Sequence, residues 1–132
     1  MSESMPAVGA SASVPHQVSE ADLAETLGTG HVPVLASSRL LTWAEGATCA
    51  AIDSDLDESQ TSVGTRLELE HALPSPLGVT VLVSAELIQV DGRLLVFEFR
   101  AEHEDGEVVG RGQVGRVVVD RERFLKRAAA SG

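Results

Sequence analysis

The sequence has little of what several protein classes require. Its one cysteine, Cys49, cannot form a disulfide within the chain, so a disulfide-stapled secreted scaffold is excluded and a reducing compartment is expected. No apolar run approaches the roughly 20 residues that a membrane-spanning helix needs. The first residues lack the basic start and apolar centre of a signal peptide. We therefore expect a cytoplasmic protein that does not contact a membrane.

Aromatic residues and metal ligands are also scarce. With three Phe, one Trp and no Tyr, the core must consist mainly of Val, Leu, Ala and Ile. The four histidines, at positions 16, 31, 71 and 103, are scattered, and no group of Cys and His has the spacing of a metal site. We expect neither a bound metal nor a cofactor.

Positive charge is in short supply as well. Ten basic residues stand against 20 acidic ones, which gives a formal net charge of −10 and argues against a nucleic-acid partner. Seven of the ten basic residues nevertheless lie from Arg100 onward. This local excess could hold a small phosphorylated ligand, or it could belong to a solvated strand and tail whose charges are balanced.

The strongest positive signal is a helix over residues 35–52. Apolar residues recur there every three to four positions, without Pro and without a long β-branched run. Small and apolar residues surround the helix on nearly every side, so we expect burial over most of its circumference. Glu45 lies in its middle, on the same face as Ser37 and Leu41. A carboxylate on a buried helix needs a partner or a chemical role.

The N-terminal part carries weaker signals. Residues 1–14 are rich in Ser, Ala and Gly without periodicity, so we predict a disordered tail followed by one domain over residues 15–132. A short strand could form from His16 to Ser19. Ser19 would then cap a short helix that ends near Gly28.

After the helix the pattern changes to that of strands. We predict strands over residues 60–72, 79–90, 93–103 and 107–119, joined by tight turns, and a short charged helix over 120–127. In the first of these strands Thr65 and His71 share the core-facing side, and Gly64 and Arg66 lie on the other. The result is an α+β architecture, an antiparallel sheet wrapped around one long helix. A symmetric dimer would cover the remaining sheet face and any open edge.

Four positions could carry chemistry. Ser37, Glu45 and His71 supply a hydroxyl, a carboxylate and an imidazole, the groups that activate a nucleophile or a water. Gly64 would let a ligand approach the backbone and use its N–H at a developing oxyanion. Structural alternatives stand beside each role: a helix cap for Ser37, a solvated or salt-bridged acid, a satisfied core histidine, and a β-bulge at Gly64.

The run from Val34 to Arg127 resembles the hot-dog thioesterases of the fluoroacetyl-CoA thioesterase type. The likeness rests on WAEGA within the helix, on TSVGTRLELEHALPSPLGVTV, on the hairpin AELIQVDGRLLVF and on the ending DRERFLKR. The block VGT…H…P-x-P-x-G is distinctive, and the order of elements agrees.

The resemblance assigns roles to these positions. In the family, a helix hydroxyl, a helix Glu and a strand His form the catalytic triad, and a Gly lies beside the thioester. These roles fall on Ser37, Glu45, His71 and Gly64, with Thr65 next to Gly64 at the substrate and oxyanion. The family has Thr where this chain has Ser37, which keeps the hydroxyl but lacks the methyl that restricts its rotamer. Thr42 does not qualify, because it lies about 140° around the helix from Ser37.

The resemblance also implies a substrate and a partner. It implies hydrolysis of an acyl-CoA thioester by a homodimer whose substrate channel lies at the subunit interface, and it leaves open whether dimers pair further. CoA enters only as part of the substrate, and its phosphates would meet basic side chains for which Arg66, Arg111 and Arg116 are the candidates.

Fluoroacetyl specificity is not implied. The selective enzyme of the family uses aromatic residues in a lid ahead of the helix, whereas residues 1–36 here contain no Phe, Tyr or Trp. We expect a different, small or medium acyl group. Two rival functions are a non-catalytic module that binds acyl-CoA or another small ligand, and dehydration of a hydroxyacyl-CoA on the same fold.

Overall fold

The fold consists of one antiparallel sheet of five strands with a long helix against its inner face. The computed structural model describes residues 4–132. The strands pair in the order β1-β3-β4-β5-β2, so that β1 and β2 are the edges of the sheet. Their bounds are β1 (Ser11–Gln17), β2 (Gln60–His71), β3 (Thr80–Asp91), β4 (Leu94–His103) and β5 (Val108–Asp120). The predicted α+β architecture is confirmed.

Within residues 4–132 the sheet is accompanied by three α-helices, α1 (Ala24–Leu27), α2 (Ser37–Ile52) and α3 (Arg121–Ser131), and by two 3₁₀ turns, Glu20–Asp22 and Asp53–Asp55. The buried side of α2 packs on the inner face of the sheet and includes Leu40, Ala44, Ala47 and Ile52. The prediction that most of the helix circumference is buried is wrong, because the sheet covers only the side that faces it. Exposed small residues follow one another at intervals of four along the opposite side: Ser38, Thr42, Gly46 and Ala50.

The N-terminal strand is longer than predicted. β1 begins at Ser11 and pairs with β3 from Ser11–Glu86 to Gln17–Thr80. The predicted boundary of the disordered tail at residue 14 is therefore wrong, since residues 11–14 already belong to the sheet. Ala12 and Met5 are partly buried against the core. Residues 1–3 of the predicted tail lie outside the described residues.

Ser19 precedes a single 3₁₀ turn over Glu20–Asp22, and the helix that it was predicted to cap is capped by Leu23 instead. The Ser19 N–H and hydroxyl both donate to Asp22 Oδ2, at 2.9 and 2.8 Å. The chain then forms α1, which ends at Gly28 in the left-handed region with φ of 75°. These local bonds place the segment before α2 beside the start of that helix.

A β-bulge at Thr65 decides which residues of β2 face α2. Gly64 pairs with Arg116 whereas Arg66 pairs with Gly115, so Thr65 has no opposite residue on β5. An extra residue resets the alternation of faces along a strand. The prediction that Gly64 and His71 lie on opposite faces is therefore wrong, and both face α2.

No helix within residues 4–132 combines the length and the apolar character needed to cross a bilayer.

Candidate active site

Ser37 and His71 form a hydrogen-bonded pair where the start of α2 meets the end of β2. Ser37 Oγ and His71 Nδ1 are 2.7 Å apart. The N-cap of α2 is Ala36, so the alternative reading of Ser37 as a helix cap is excluded. The Ser37 hydroxyl is therefore available to the imidazole.

The surroundings of His71 favour its neutral form. Burial lowers the pKa of His71 below the ordinary value of 6.5, and the main chain of Leu73 partly opposes this shift. Its Nε2 is buried and forms no hydrogen bond within the described part of the chain. A neutral imidazole next to a hydroxyl can accept the hydroxyl proton.

Glu45 lies two turns further along α2 than Ser37, and it is in direct contact with Gly64 of β2. A Cβ atom at position 64 would overlap Glu45 Oε2. Gly64 does not have a positive φ, so its backbone conformation does not require glycine. The close approach of the Glu45 carboxylate does require it.

Arg116 holds the Glu45 carboxylate in place. Its Nη1 lies 3.2 Å from Glu45 Oε2, and Nε and Nη2 donate to the Ser62 hydroxyl and carbonyl at 2.8 and 3.0 Å. The Arg116 side chain is only 7% exposed, whereas that of Glu45 is 35% exposed. The carboxylate is thus anchored from the protein side and remains open to a ligand.

The burial of Arg116 corrects its predicted role. As a CoA phosphate ligand it would have to point into solvent, but its guanidinium group is buried and bound to Glu45 and Ser62. Its true position was readable in the sequence, because Arg116 lies between Val114 and Val118, which are core residues at intervals of two. The contact between Arg116 and Glu45 was not predicted.

The other predicted phosphate ligands are exposed. Arg66 forms an exposed ion pair with Glu68 at 2.6 Å, and Arg111 is exposed on β5. Thr65, the bulged residue, places its Oγ1 at 3.4 Å from the Gly115 carbonyl. Thr42 is exposed and its hydroxyl donates to the Ser38 carbonyl, away from these groups.

Within one chain, the functional groups form two clusters. Ser37 and Glu45 are eight residues apart on α2, about 12 Å along the helix axis. His71 belongs to the first cluster and Gly64 to the second. No hydrogen bond or ion pair of the described chain joins the two clusters.

A cavity of about 360 Å³ opens beside the first cluster. Ser37 and His71 lie in its wall, and most of the remaining wall is aliphatic. The apolar part of its wall comes from the segment before Ser37 and from the segment after His71: Ala24, Val32, Val34, Leu35, Leu73 and Pro74. The cavity can therefore receive an apolar group next to the hydroxyl and imidazole.

Comparison with known proteins gives both a family and a fold. The sequence profile of the family described as "Fluoroacetyl-CoA-specific thioesterase" matches residues 18–122. The fluoroacetyl-CoA thioesterase of Streptantibioticus cattleyicolor is 33% identical over 91 residues, which are 69% of this chain and 65% of that relative. The match thus spans just under two thirds of the relative's length.

Solved structures resemble the chain over nearly its whole length. A crystal structure of a single-residue mutant of the fluoroacetyl-CoA-specific thioesterase FlK has a TM-score of 0.88 at 25% identity. The match covers 97% of this chain and 98% of the FlK chain. The crystal structure of a hot-dog-like protein from Thermanaerovibrio acidaminovorans has a TM-score of 0.86 at 25% identity. The match covers 94% of this chain and 91% of that protein's chain. The matched profile contains every residue of both clusters, and this chain belongs to the fluoroacetyl-CoA-specific thioesterase family and has the hot-dog fold.

Proposed function

We propose that this protein is an acyl-CoA thioesterase, which hydrolyses an acyl-CoA thioester to the free acid and CoA. The observation that carries the proposal is the Glu45 carboxylate, held by Arg116 against Gly64 and open to a ligand. Family membership supports it. The related enzyme FlK has been solved in complex with fluoroacetate and CoA, the two products of thioester hydrolysis, at 27% identity to this chain.

The chemistry follows from the second cluster. The thioester carbonyl lies at Gly64, where the bulge at Thr65 interrupts the ladder and leaves backbone N–H groups for the oxyanion. Glu45 accepts a proton from water while the water oxygen attacks the carbonyl carbon. Collapse of the tetrahedral intermediate breaks the C–S bond, and the proton passes to the departing sulfur. Water and substrate supply every atom, so no cofactor takes part.

In a homodimer, Ser37 and His71 of one subunit complete the site at Glu45 and Gly64 of the other subunit. β2 is an open edge strand, and Leu67 near its middle is 42% exposed. Antiparallel pairing of two β2 edges about a two-fold axis exchanges the ends of the strand, which brings Gly64 and Glu45 of one protomer toward Ser37 and His71 of the other. The homodimer would thus contain two composite sites. The Ser37 hydroxyl and His71 would then complete the triad around the thioester bound at Glu45.

Complementation distinguishes composite sites from sites within one chain. Glu45→Gln and His71→Ala chains are tagged differently, co-expressed, and the mixed dimer is purified by both tags. If sites are composite, the mixed dimer has one intact site and regains about half of the wild-type rate, although each homodimer is inactive. A mixed dimer as inactive as its parents would place each site within one chain.

The acyl group is proposed to be aliphatic and small or medium in length, because the cavity beside Ser37 has aliphatic walls. To test this, kcat/KM is measured for a series of straight-chain acyl-CoA esters of increasing acyl length and for fluoroacetyl-CoA. Leu73→Phe should shift the optimum toward acetyl-CoA. Leu77→Phe, at a 54% exposed position outside the cavity, is the matched control. A preference for fluoroacetyl-CoA, or an unchanged optimum in Leu73→Phe, would contradict this substrate class.

The activity itself is tested by thiol release from acyl-CoA esters. Glu45→Gln and His71→Ala should each lower kcat by orders of magnitude while circular dichroism and melting temperature show a folded protein. Full rates in both variants, or tight binding of the esters without release of thiol, would end the assignment. The proposed location is the cytoplasm, where the free thiol of Cys49 stays reduced.

A further inference from the structure

We propose that a groove between α3 and β5 binds the nucleotide end of CoA, an inference that rests on the proposed thioesterase function. The groove has a volume of about 260 Å³. Its lining consists of three arginines, one acid and four apolar residues: Arg93, Arg123, Arg127, Asp120, Val117, Val118, Val119 and Phe124. None of these residues belongs to the two clusters described above.

The charge of the groove identifies its ligand as an anion. α3 carries four basic side chains and one acidic side chain, a formal charge of +3 on a protein whose net charge is −10. Arg123 and Arg127 are one helical turn apart, and neither forms an ion pair within residues 4–132. Lys126 pairs instead with Glu122 at 3.4 Å and does not line the groove. Two free guanidinium forks on one face match the geometry of phosphate groups.

The apolar part of the groove indicates that the anion carries a flat ring. Phe124 is 37% exposed, and Val117 and Val119 lie beside it in the lining. An inorganic anion would leave this surface unused, whereas a purine base can stack on an aromatic ring. The adenosine of CoA, which bears a 3′-phosphate and a 5′-diphosphate, has both features.

The position of the groove suits CoA bound at Glu45. Arg116, which contacts Glu45, is four residues before Asp120 on β5, about 13 Å at the rise of a strand. α3 begins directly after Asp120. β2 begins and β5 ends at this corner of the sheet, because Gln60 pairs with Asp120. The pantetheine arm can therefore pass around the strand ends from the thioester to the groove.

Equilibrium binding tests the groove without requiring turnover. CoA, dephospho-CoA and pantetheine are titrated into the wild type, the double variant Arg123→Ala/Arg127→Ala, and the control Lys126→Ala. We expect wild type and Lys126→Ala to bind CoA roughly tenfold or more tightly than dephospho-CoA and pantetheine, and the double variant to lose this preference. Unchanged CoA affinity in the double variant, or an equal loss in Lys126→Ala, would overturn the proposal.

Kinetics separates the nucleotide groove from a carrier-protein surface and from the catalytic proposal. In the double variant, kcat/KM for acyl-CoA should fall roughly tenfold relative to kcat/KM for the acyl-pantetheine thioester. A selective loss of activity on an acyl carrier protein would show that α3 recognises an acidic protein surface instead, against the proposal. If no thioester is hydrolysed but the binding pattern holds, the proposed hydrolysis fails and the nucleotide groove stands.

Discussion

Gly64 lies so close to the Glu45 carboxylate that any side chain at position 64 would have to displace it. The contact joins the bulged part of the strand to the acid of the helix. It brings a carboxylate, a backbone amide and the anchoring Arg116 together in one place. The position of the Glu45 carboxylate therefore depends on the absence of a side chain at Gly64.

The Gly64→Ala variant should lose activity while it keeps its fold. The added Cβ would meet Glu45 Oε2, the end of a flexible side chain, so the carboxylate moves aside and the backbone does not. We expect kcat to fall by roughly two orders of magnitude, in line with the loss of a positioned general base. The melting temperature should change by a few degrees at most. Thiol release and thermal unfolding measure the two effects.

Gly46→Ala provides the matched control for this substitution. Gly46 is exposed on α2, and a Cβ there meets nothing within 4 Å. This variant should keep full activity and gain about 0.5–1 kcal/mol of stability from helix propensity. Activity in Gly64→Ala equal to that of Gly46→Ala would show that Glu45 does not act from its position against the strand.

Arg116→Met should destabilise the protein as well as reduce its activity. The substitution removes a buried guanidinium group that binds the Ser62 hydroxyl and carbonyl and the Glu45 carboxylate. Because Glu45 remains 35% exposed and can be hydrated, we expect a loss of about 1–3 kcal/mol and not the full penalty of an isolated buried charge. Urea unfolding measures the change.

The exposed Arg111→Met serves as the reference for that measurement. Arg111 lies on the same strand but is exposed, so its substitution should change the free energy of unfolding by less than about 0.5 kcal/mol. Equal effects of the two substitutions would mean that the bonds of Arg116 contribute nothing to stability.

Periodicity alone was enough to predict α2 and the four strands after it, because long segments with clear spacing leave few alternatives. Periodicity could not locate the bulge at Thr65, since one unpaired residue is set by the pairing partner, although the neighbouring Gly64 had indicated a bulge as an alternative. That single residue decides that Gly64 and His71 face the same helix. The prediction for Gly64 was therefore wrong about its face, whereas His71 does face the helix side of the sheet, as predicted.

The early part of β1 and the role of Arg116 were missed for different reasons. Ser11 to Val14 alternate small polar with small apolar residues, but this short pattern follows a run rich in Ser, Ala and Gly and so gave only a weak strand signal. Arg116 did show the alternation of a core residue, but its charge suggested a surface role. A buried Arg within a strand is better read as the partner of a nearby acid.

Ser37 is expected to act through its bond to His71 and not through helix capping. Ser37→Ala removes the hydroxyl but leaves the cap at Ala36, so it should lower kcat by about tenfold or more without loss of stability. Ser37→Thr keeps the hydroxyl and matches the family residue, so it should retain most of the activity. A large fall in melting temperature in Ser37→Ala would support a structural role instead.

The neutral state of His71 should make stability depend on pH. Its pKa in the folded protein is lowered by burial, whereas in the unfolded chain it is close to 6.5. Below pH 6.5 the unfolded state therefore binds more protons, and stability falls as the pH drops from 6.5 toward the lowered pKa. Above pH 6.5 this contribution is complete and constant. Urea unfolding from pH 5 to 8 should show a shallower decline in His71→Gln than in the wild type.

The same protonation should control catalysis. If activity requires the neutral His71 that accepts the Ser37 hydrogen bond, kcat/KM must fall as the pH drops through the lowered pKa of the imidazole, below 6.5, and must be level from pH 6.5 to 8. Ser37→Ala removes the proton that His71 accepts, so its residual activity should lose this step. A profile of Ser37→Ala that keeps the wild-type step would show that His71 acts on the substrate or on water directly.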